Sequence, residues 1–492
     1  MKTLFNLPTN YEWVSFGIYF SFLVSGVALA EFLQKKNILT TELTRKLVHL
    51  FVGVVVSTIP YFFNSGVPAL ILASIFIILN YFSTKAKMFK GMHGVERETF
   101  GTTYFPLAFL ILIILFWQKH PFIISVSMLV LAFSDTMAAM VGEKLKVKNE
   151  YNLTGSKKSF EGSVAFFVTT IIVLYCGLKI WFPDFNINGF YFWLIIILIS
   201  FFATSWEAIS SKGLDNLFIP LAIGFSLYNL TYGSLWYFID GNLLGIIIAY
   251  FSYRLKLLTA SGSVAVYLLA SIIYSIGGWM WTMPIFVFFI LSSLISKIGK
   301  SKRAKLNSIY EKNDVRDVYQ VLANGAIAGV IAICSYLFPS YKWYILYLSA
   351  IAVVTNDTWG TEIGGLSKKN PRMIFTFKKV ESGTSGAVSI LGTVGGAIGG
   401  IIIILVGNYF VELNYKIASI IFIVGILGSL IDSIMGATIQ MQFVCNTCKK
   451  QTERENHCGS KTLKISGIDG INNDAVNLLS TLFAVFIAVS IL

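Results

Sequence analysis

The chain has 492 residues, of which 55% are hydrophobic and 13% charged, and its mean hydropathy is +0.72. An ordinary soluble domain carries about a quarter charged residues, so this composition excludes a water-soluble globular protein and indicates lipid as the solvent. The formal net charge of +13 is spread over many short segments without a nucleic-acid recognition fold, so we expect no nucleic-acid partner. Because a backbone in lipid must pair its polar groups internally, the sequence predicts an all-α polytopic membrane protein.

Apolar segments long enough to cross a ~30 Å hydrocarbon core recur along the whole chain. Segment 13–33 is long for a signal-peptide core and lacks a basic region before it, so it is predicted to be a first span. Two segments, 243–253 and 284–297, are short enough to be re-entrant, which leaves about 14 to 16 transmembrane helices. In chain order the candidates are roughly 13–33, 46–61, 68–83, 103–117, 122–142, 162–182, 191–208, 217–238, 243–253, 258–275, 284–297, 319–338, 344–364, 385–406, 417–440 and 473–492.

Lysine and arginine are concentrated in alternate loops of this arrangement. Those loops hold 33 of the 38 basic residues, which is a strong positive-inside signal. The sequence therefore predicts that these loops are cytoplasmic and that both termini face outward. The same positive charge would secondarily attract anionic lipid headgroups or nucleotide phosphates.

One polar constellation occurs twice and suggests two related halves, 1–252 and 253–492. Asp135 ends a predicted helix and is followed after seven residues by Gly142, and Asp357 and Gly364 repeat this spacing. In both halves a basic loop then leads to a segment rich in Gly and Ser. Upstream, Arg45 and Arg316 each begin a segment that opens a predicted helix, which extends the pairing.

Asp135 and Asp357 lie inside apolar segments, where a carboxylate costs about 2.5–3.5 kcal/mol on insertion scales. One interpretation is a carboxylate that caps or pairs near a helix end. The favoured interpretation is a ligand of Mg²⁺, which prefers oxygen and bridges one or two protein carboxylates to phosphates.

The loops after these aspartates could bind phosphate. Small residues let backbone N–H groups approach an anion, and each loop is expected to lead into a helix N-terminus. Neither loop is a Walker A sequence, so an ordinary polar turn remains the alternative. The residues concerned are Ser156, Lys157, Lys158 and Ser159 in the first half and Gly383, Thr384, Ser385 and Gly386 in the second.

Further acidic residues lie near predicted span ends and form two pairs, Glu207 with Asp215 and Asp432 with Asp474. Two such pairs beside two Asp/Gly loops suggest two metal–phosphate sites, with Asp432 as a further Mg²⁺ ligand. His49 lies one helical turn after Arg45, on the same face. It could orient a phosphate or accept a proton, or it could be an interfacial histidine with a structural role.

Four potential zinc ligands lie within the predicted cytoplasmic loop 441–472. They are Cys445, Cys448, His457 and Cys458. Zinc takes Cys₃His sets tetrahedrally, so a structural zinc site is one interpretation. The adjacency of His457 and Cys458 is awkward for that geometry, and a free-thiol loop is the alternative.

Several motifs of the first half, spread over most of 40–222, carry a resemblance to a known family. They are Arg45-Lys46 with His49, Arg97 to Pro106, Asp135 to Gly142, Lys158 to Ser163, and Glu207 to Asp215-Asn216. They resemble the dolichol kinase/phytol kinase family, which belongs with the membrane cytidylyltransferases. The resemblance implies transfer of phosphate from CTP, with Mg²⁺, to a long-chain isoprenoid alcohol, and catalytic roles for Asp135, Lys157, Lys158 and Glu161.

The second half, over about 255–492, resembles a membrane family long labelled as of unknown function that includes phytyl-phosphate kinase. The densest match is Asn356 to Gly364, joined by Gly383 to Gly386 and by Asn472 to Asn477. The resemblance implies catalytic roles for Asp357 and Glu381. Nucleotide or phosphate contacts are expected from Asn356, Gly364, Asn473, Asp474 and Asn477 in this half and from Arg45, Lys46, His49, Gly142, Glu207, Asp215 and Asn216 in the first.

Two consecutive kinases in one chain suggest conversion of an isoprenoid alcohol to its monophosphate and then to its diphosphate. Phosphoryl transfer requires positioning and charge neutralisation, which suits a lipid hydroxyl held at the membrane interface. The alternatives are a cytidylyltransferase that forms a CDP-lipid and a repeat-built transporter, which internal repeats and intramembrane carboxylates would also suit. The prenyl chain length, the nucleotide and the oligomeric state are not determined by the sequence.

Overall fold

A computed structural model describes residues 3–85, 100–118, 120–145, 149–181, 189–299, 315–449 and 451–492. Arg97, with most of the basic segments 84–102 and 297–316, lies outside the described residues. The fold is built from α-helices and divides into two compact units, Met1–Leu235 and Trp236–Leu492.

The first unit contains eight long helices within its described residues. Their bounds are α1 Asn10–Lys35, α2 Thr41–Phe62, α3 Val67–Lys85, α4 Gly101–Phe116, α5 Pro121–Lys144, α6 Phe160–Trp181, α7 Gly189–Ile209 and α8 Asp215–Tyr232. Thr9 begins α1 with a capping box, in which its hydroxyl accepts from the Glu12 amide while the Glu12 carboxylate accepts from the Thr9 amide. Residues Leu131–Asp135 of α5 form a π-helical turn, which is a frequent feature of functional sites.

The second unit contains seven helices in its described residues, one of them broken. They are α9 Leu235–Arg254, α10 Ala260–Gly299, α11 Val318–Leu337, α12 Tyr341–Gly364, α13 Ile390–Phe410, α14 Tyr415–Thr438 and α15 Asn473–Ile491. Non-helical torsions at Gly277 and Gly278 divide α10 into two arms, and the φ of +56° at Gly278 is one that glycine adopts without strain.

The prediction of an all-α polytopic membrane protein is confirmed. Among the described residues, twelve helices are long and apolar enough to cross a membrane, with Ala260–Ile298 counted once, and Gly101–Phe116 is a shorter apolar helix. The two segments expected to be short belong to longer helices, because 243–253 lies within α9 and 284–297 within the second arm of α10. Helix α9 lies in the second unit, so the structural division falls before it and not near residue 252.

Helix α12 lies at the centre of the second unit, where all residues from Tyr344 to Asn356 are buried. Glycines of α13 let the two backbones approach closely, as small residues do between membrane helices. A Cβ at Gly396 would lie 2.5 Å from the Asn356 carbonyl oxygen. The crossing lies at Asn356, the last residue of this buried run, and so holds the neighbouring Asp357 at the end of the buried part of α12.

Short strands occur only in connections within the described part of the chain. Antiparallel pairs form between β1 Glu150–Asn152 and β2 Lys157–Ser159, and between β3 Arg372–Met373 and β4 Ala387–Val388. The segment between α14 and α15 holds β5 Gln442–Val444, β6 Gln451–Thr452, β7 Asn456–His457, β8 Ser460–Lys461 and β9 Leu463–Ser466. Strand β5 pairs with β6 and β9, and β7 forms a hairpin with β8.

Candidate active sites

In the first unit, Asp135 lies at the end of the π-helical turn, opposite His49 of α2. The His49 Nε2 and Asp135 Oδ2 atoms are 3.7 Å apart. The Phe105 ring packs edge-on against the imidazole, with 5.3 Å between ring centroids. This separation is too long for a direct hydrogen bond, but it lets the carboxylate and the imidazole bind the same polar ligand.

Lys158, at the end of the β1–β2 hairpin, is the central cation of this site. Its Nζ donates to Glu207 Oε1 at 2.6 Å and to the Glu207 carbonyl oxygen at 2.5 Å, and it lies 3.7 Å from Asp215 Oδ2. Burial alone would lower the pKa of Lys158, but the carboxylates of Glu207 and Asp215 together raise it above its ordinary value. The residue is therefore a fixed positive charge at neutral pH.

A cavity of about 2720 Å³ opens over these groups. Its polar end holds Asp135, His49 and Lys158, and its remaining wall includes apolar residues of α1, α3 and α4 such as Leu23 and Phe76. The volume exceeds the roughly 300–1000 Å³ of a drug-sized pocket, so the cavity has room for a nucleotide and part of a lipid chain.

Three buried polar atoms that line this cavity have no hydrogen-bond partner among the described residues. They are His49 Nε2, Thr136 Oγ1 and Asn216 Oδ1. Buried polar groups are almost always satisfied, because an unpaired one costs about 1–3 kcal/mol. Their convergence on one cavity indicates that a polar ligand completes their bonding.

Other residues singled out in the first half differ in their placement. Lys46, which donates to Glu143, lines the cavity together with Arg45, Ser156 and Lys157. The Lys157 side chain is 69% exposed and lies 3.6 Å from Glu150. Glu161 is not among the residues that line the cavity, and its carboxylate accepts from the Asn149 backbone and side-chain nitrogens. Glu161 therefore braces the connection before α6 in this structure.

Gly142 and Ser159 meet where α5 crosses α6. The Ser159 hydroxyl accepts from the Gly162 amide at 3.2 Å and so caps α6, and a Cβ at Gly142 would lie 2.7 Å from the same Oγ. The expected phosphate loop is a β-hairpin that ends in this cap. Gly142 therefore serves close helix packing.

In the second unit, polar groups of three helices converge on Asp432. The carboxyl groups of Asp357 and Asp432 are within hydrogen-bonding reach of each other. Ser480 Oγ donates to Asp432 Oδ2 at 3.1 Å, and the Asn477 amide nitrogen donates to the same oxygen at 3.0 Å. Two carboxylates this close repel when both are ionised, so the arrangement favours either a shared proton or a bound cation.

The Gly383–Gly386 loop lies beside the end of α14. Ser385 Oγ donates to the Gly436 carbonyl and to Gln440 Oε1, both at 3.1 Å. A Cβ at Gly386 would lie 2.4 Å from the Ala437 Cβ. Glu381 is exposed, and its backbone carbonyl accepts from the Thr384 hydroxyl.

The crossing of α12 and α13 reproduces the local arrangement of α5 and α6. The Ser389 hydroxyl accepts from the Gly392 amide at 3.1 Å, and a Cβ at Gly364 would lie 2.9 Å from Ser389 Oγ. In this local geometry Ser389 occupies the position of Ser159, whereas the sequence pattern pairs the Ser159 loop with Gly383–Gly386. Gly364 is a packing residue.

Helix order also revises the second sequence pairing. The helix after Arg316 is α11, which directly precedes the Asp357 helix, whereas the helix after Arg45 is α2, which is separated from the Asp135 helix by two others. The counterpart of α11 in chain order is α4.

Asn356 and the first turn of α15 complete the set of predicted residues. The Asn356 amide donates to the Ala352 carbonyl and packs against Gly400 and Gly425, so it is buried between helices. The Asn473 carbonyl accepts from the Asn477 amide at 3.3 Å, and Asp474 is buried.

Among the described residues, one group of three or more His, Cys, Asp or Glu side chains has all its ligand atoms close together. It is the predicted set of Cys445, Cys448, His457 and Cys458, whose ligand atoms lie within 4.8 Å of one another. The acidic clusters at Asp135 and Asp357 each contribute fewer convergent carboxylates, which is compatible with Mg²⁺ because that ion takes one or two protein carboxylates.

Comparison with known proteins identifies the family of this chain. Residues 243–485 match the family model described as integral membrane protein DUF92. The chain is 31% identical over 266 residues to Protein PGR of Arabidopsis thaliana, in a match that covers 49% of this chain and 91% of that protein. The chain belongs to the DUF92 family of integral membrane proteins.

Other relatives of this DUF92 protein also match part of the chain. An uncharacterized membrane protein of Methanocaldococcus jannaschii is 37% identical over 170 residues, covering 34% of this chain and 69% of its own. The phytol kinase of Synechocystis sp. is 27% identical over 217 residues, covering 42% of this chain and 88% of its own. No solved structure matches the chain.

Several residues around the sites were not singled out in the sequence. Thr136 follows Asp135 directly, and Glu143 follows Gly142, so both could have been found in the sequence as neighbours of the motif. Ser389 lies three residues before Gly392, which is the spacing of an N-cap hydroxyl and the amide it accepts from. Ser480 had no signal, because only the α14–α15 contact brings it to Asp432.

Proposed function

We propose that this protein phosphorylates a long-chain isoprenoid alcohol in its first unit and the resulting monophosphate in its second. The observation that carries the proposal is the cavity of the first unit, in which unpartnered polar atoms, a fixed cation and an apolar wall occur together. The similarity to a protein named phytol kinase supports phosphorylation of an isoprenoid alcohol as the general activity.

In the first step, the alcohol oxygen attacks the γ-phosphorus of CTP and the bond to the β-phosphate oxygen breaks, which releases CDP. The hydroxyl proton passes to the His49–Asp135 pair, whose facing atoms are 3.7 Å apart. Lys158 uses two donors on Glu207 and has a third N–H for a phosphate oxygen. Arg45 and Lys46 line the same cavity and add positive charge.

The oxygen donors of this site fit Mg²⁺. Asp135 offers a carboxylate, while Thr136 Oγ1 and Asn216 Oδ1 are unpartnered hard oxygen donors among the described residues. Bound there, Mg²⁺ would neutralise charge on the transferred phosphoryl group. The protein groups position the alcohol and exclude water around it.

In the second step, an oxygen of the ionised prenyl monophosphate attacks the γ-phosphorus of CTP, and the bond to the β-phosphate oxygen breaks, which releases CDP. The attacking oxygen is already deprotonated, so no proton acceptor is required. Asp357 and Asp432 form the acidic pair for a second Mg²⁺. An apolar groove of about 560 Å³ between α14 and α15 includes Phe483, three residues after Ser480, and suits a prenyl tail. Two glycines and a capping serine meet in the same way where α5 crosses α6 and where α12 crosses α13. This repeated arrangement supports a common origin of the two units.

The distribution of basic residues supports cytoplasmic active sites in both units. With 33 of 38 Lys and Arg residues in alternate loops, we place the polar ends of α5, α6, α12 and α13 in the cytoplasm. CTP would then enter from water while the lipid tail stays in the bilayer.

The test uses the full-length purified protein in lipid, with CTP radiolabelled at either the γ- or the α-phosphate. Prenols and prenyl monophosphates of several lengths serve as acceptors. Transfer of the γ-label to both acceptors is expected, whereas transfer of the α-label would establish a cytidylyltransferase instead. No label in any lipid, with both nucleoside triphosphates CTP and ATP, would refute the proposal.

Matched substitutions separate the two steps. Asp135→Asn should abolish phosphorylation of the alcohol and preserve that of supplied monophosphate, and Asp357→Asn should do the reverse. Asp240→Asn, at an exposed carboxylate of α9, is the control and should affect neither step. Loss of both activities in each variant would contradict two separate sites.

A further inference from the structure

The connection between α14 and α15 is too poor in apolar contacts to be held by a hydrophobic core. Of its described residues between 441 and 472, four are buried: Phe443, Cys445, Thr452 and Thr462. Its strands are two to four residues long, and Leu463, Ile465 and Ile468 are exposed. Segments below about 40 residues usually need a disulfide, a metal or a partner to hold a defined fold.

Three thiols and one imidazole lie together in this connection. The His457 Nδ1 atom is 3.5 Å from Cys448 Sγ and 3.2 Å from Cys458 Sγ, and all four ligand atoms lie within 4.8 Å of one another. In a tetrahedral zinc site, bonds of about 2.3 Å to sulfur and 2.0 Å to nitrogen place neighbouring ligands roughly 3.5–3.8 Å apart. The two nitrogen–sulfur distances are close to these values, and the full set of four ligand atoms is up to about 1 Å wider.

The backbone resolves the adjacency of His457 and Cys458. Residues Cys458 and Gly459 have φ angles of +51° and +73°, and they form the turn between β7 and β8. In an extended strand, adjacent side chains point to opposite faces, whereas a left-handed residue changes that direction. The turn thereby brings both neighbouring side chains to the same centre, although a left-handed cysteine is conformationally unfavourable.

The other two ligands occupy a second tight turn. The Cys448 amide donates to Cys445 Sγ at 3.5 Å, and the Lys449 amide donates to the Cys445 carbonyl at 3.0 Å. The Cys445–Cys448 turn and the β7–β8 turn thus contribute two ligands each.

We propose that Cys445, Cys448, His457 and Cys458 bind one structural zinc ion. Four protein ligands fill a tetrahedral coordination sphere, so no position remains for a reacting water. The ion replaces the missing hydrophobic core of the connection by joining its two turns.

The connection in turn touches the second candidate site at two places. Gln440 Nε2 donates to Glu453 of the connection at 2.8 Å, and Gln440 Oε1 accepts from Ser385 of the glycine loop. The Met441 amide donates to the Ile471 carbonyl at 2.8 Å, immediately before Asn472 caps α15. By holding the connection together, zinc would stabilise the segment that leads into the Asn472 cap of α15, the helix whose Asn477 contacts Asp432.

The first test is the metal content of the full-length protein, measured by elemental analysis after purification without added metal. We expect about one zinc per chain, lost in Cys448→Ser and retained in the matched variants Cys176→Ser and Cys334→Ser. Wild-type protein without stoichiometric metal, or with stoichiometric iron, would overturn the assignment.

A second measurement does not depend on folding of the variant. Wild-type protein is alkylated before and after treatment with a zinc chelator, and the modified cysteines are mapped by mass spectrometry. Cys445, Cys448 and Cys458 should react only after chelation, whereas the extent of modification of Cys176, which lies in α6 outside the connection, should not change between the two samples. Equal reactivity of all three before chelation, or a disulfide among them, would refute a zinc site.

Discussion

Replacement of Lys158 by methionine tests whether the buried ion cluster of the first unit is both a structural and a catalytic element. The Lys158, Glu207 and Asp215 side chains are 14%, 8% and 21% exposed. With an effective dielectric constant of about 20, the gross attraction is about 6 kcal/mol at 2.6 Å and about 4 kcal/mol at 3.7 Å. Desolvation offsets much of it, but removal of one partner leaves buried carboxylates unpaired and costs about 3–5 kcal/mol.

The expected consequence is a lower thermal stability of the protein in detergent, measured by size-exclusion chromatography after heating. For a unit of this size, the loss corresponds to a decrease in Tm of roughly 6–20 °C. Because the pKa of Lys158 is raised, its stabilising contribution is present below the ordinary lysine pKa and is lost only as the pH rises through the higher folded value. The stability difference from wild type should therefore stay constant between about pH 6 and pH 9.

A double-mutant cycle with Glu207→Gln separates the two roles. The double variant should be more stable than the sum of the single losses predicts, with a coupling energy of about 1–3 kcal/mol. Its phosphorylation of a prenol should remain abolished, because the phosphate contact of Lys158 is missing. Recovery of activity along with stability would show that Lys158 is only structural, and additive stability losses would refute the ion-cluster argument itself.

Four further outcomes are expected. Gly142→Ala places a Cβ 2.7 Å from Ser159 Oγ and should destabilise the protein by about 1–3 kcal/mol, whereas Gly17→Ala, with no atom within 4 Å, should be close to neutral in thermal unfolding. His49→Gln should lower kcat for the prenol by about 10²–10⁴ with unchanged phosphorylation of the monophosphate, and an unaltered kcat would exclude it as the proton acceptor. Ser480→Ala removes a donor to Asp432 and should lower the second activity, while Ser335→Ala, whose hydroxyl bonds within its own helix, should not. Cys448→Ser should lower diphosphate formation and leave monophosphate formation unchanged. Equal loss of both would show that the cysteine connection does not act specifically on the second site.

The sequence by itself determined the membrane architecture, because the length and apolarity of each segment decide whether a helix can cross a bilayer. It also singled out Asp135 and Asp357, since a carboxylate within an apolar segment is conspicuous wherever the segment packs. The cysteine set was equally visible, because thiol and imidazole ligands are recognisable by residue type. For these features the local chain carries the information.

Tertiary structure alone decided which residues act together. Ser480 meets Asp432 and Lys158 meets Glu207 only through contacts between helices that are far apart in sequence. Conversely, Gly142, Gly364 and Asn356 belong to the most conspicuous motifs, yet helix crossings engage them in packing. From the sequence alone, the adjacency of His457 and Cys458 disfavours a shared metal. The left-handed φ angle of Cys458, which the sequence does not show, brings the two side chains together. Sequence spacing specifies side-chain direction only within a regular element, and these contacts depend on turns and crossings, where backbone torsions and neighbouring helices set the direction instead.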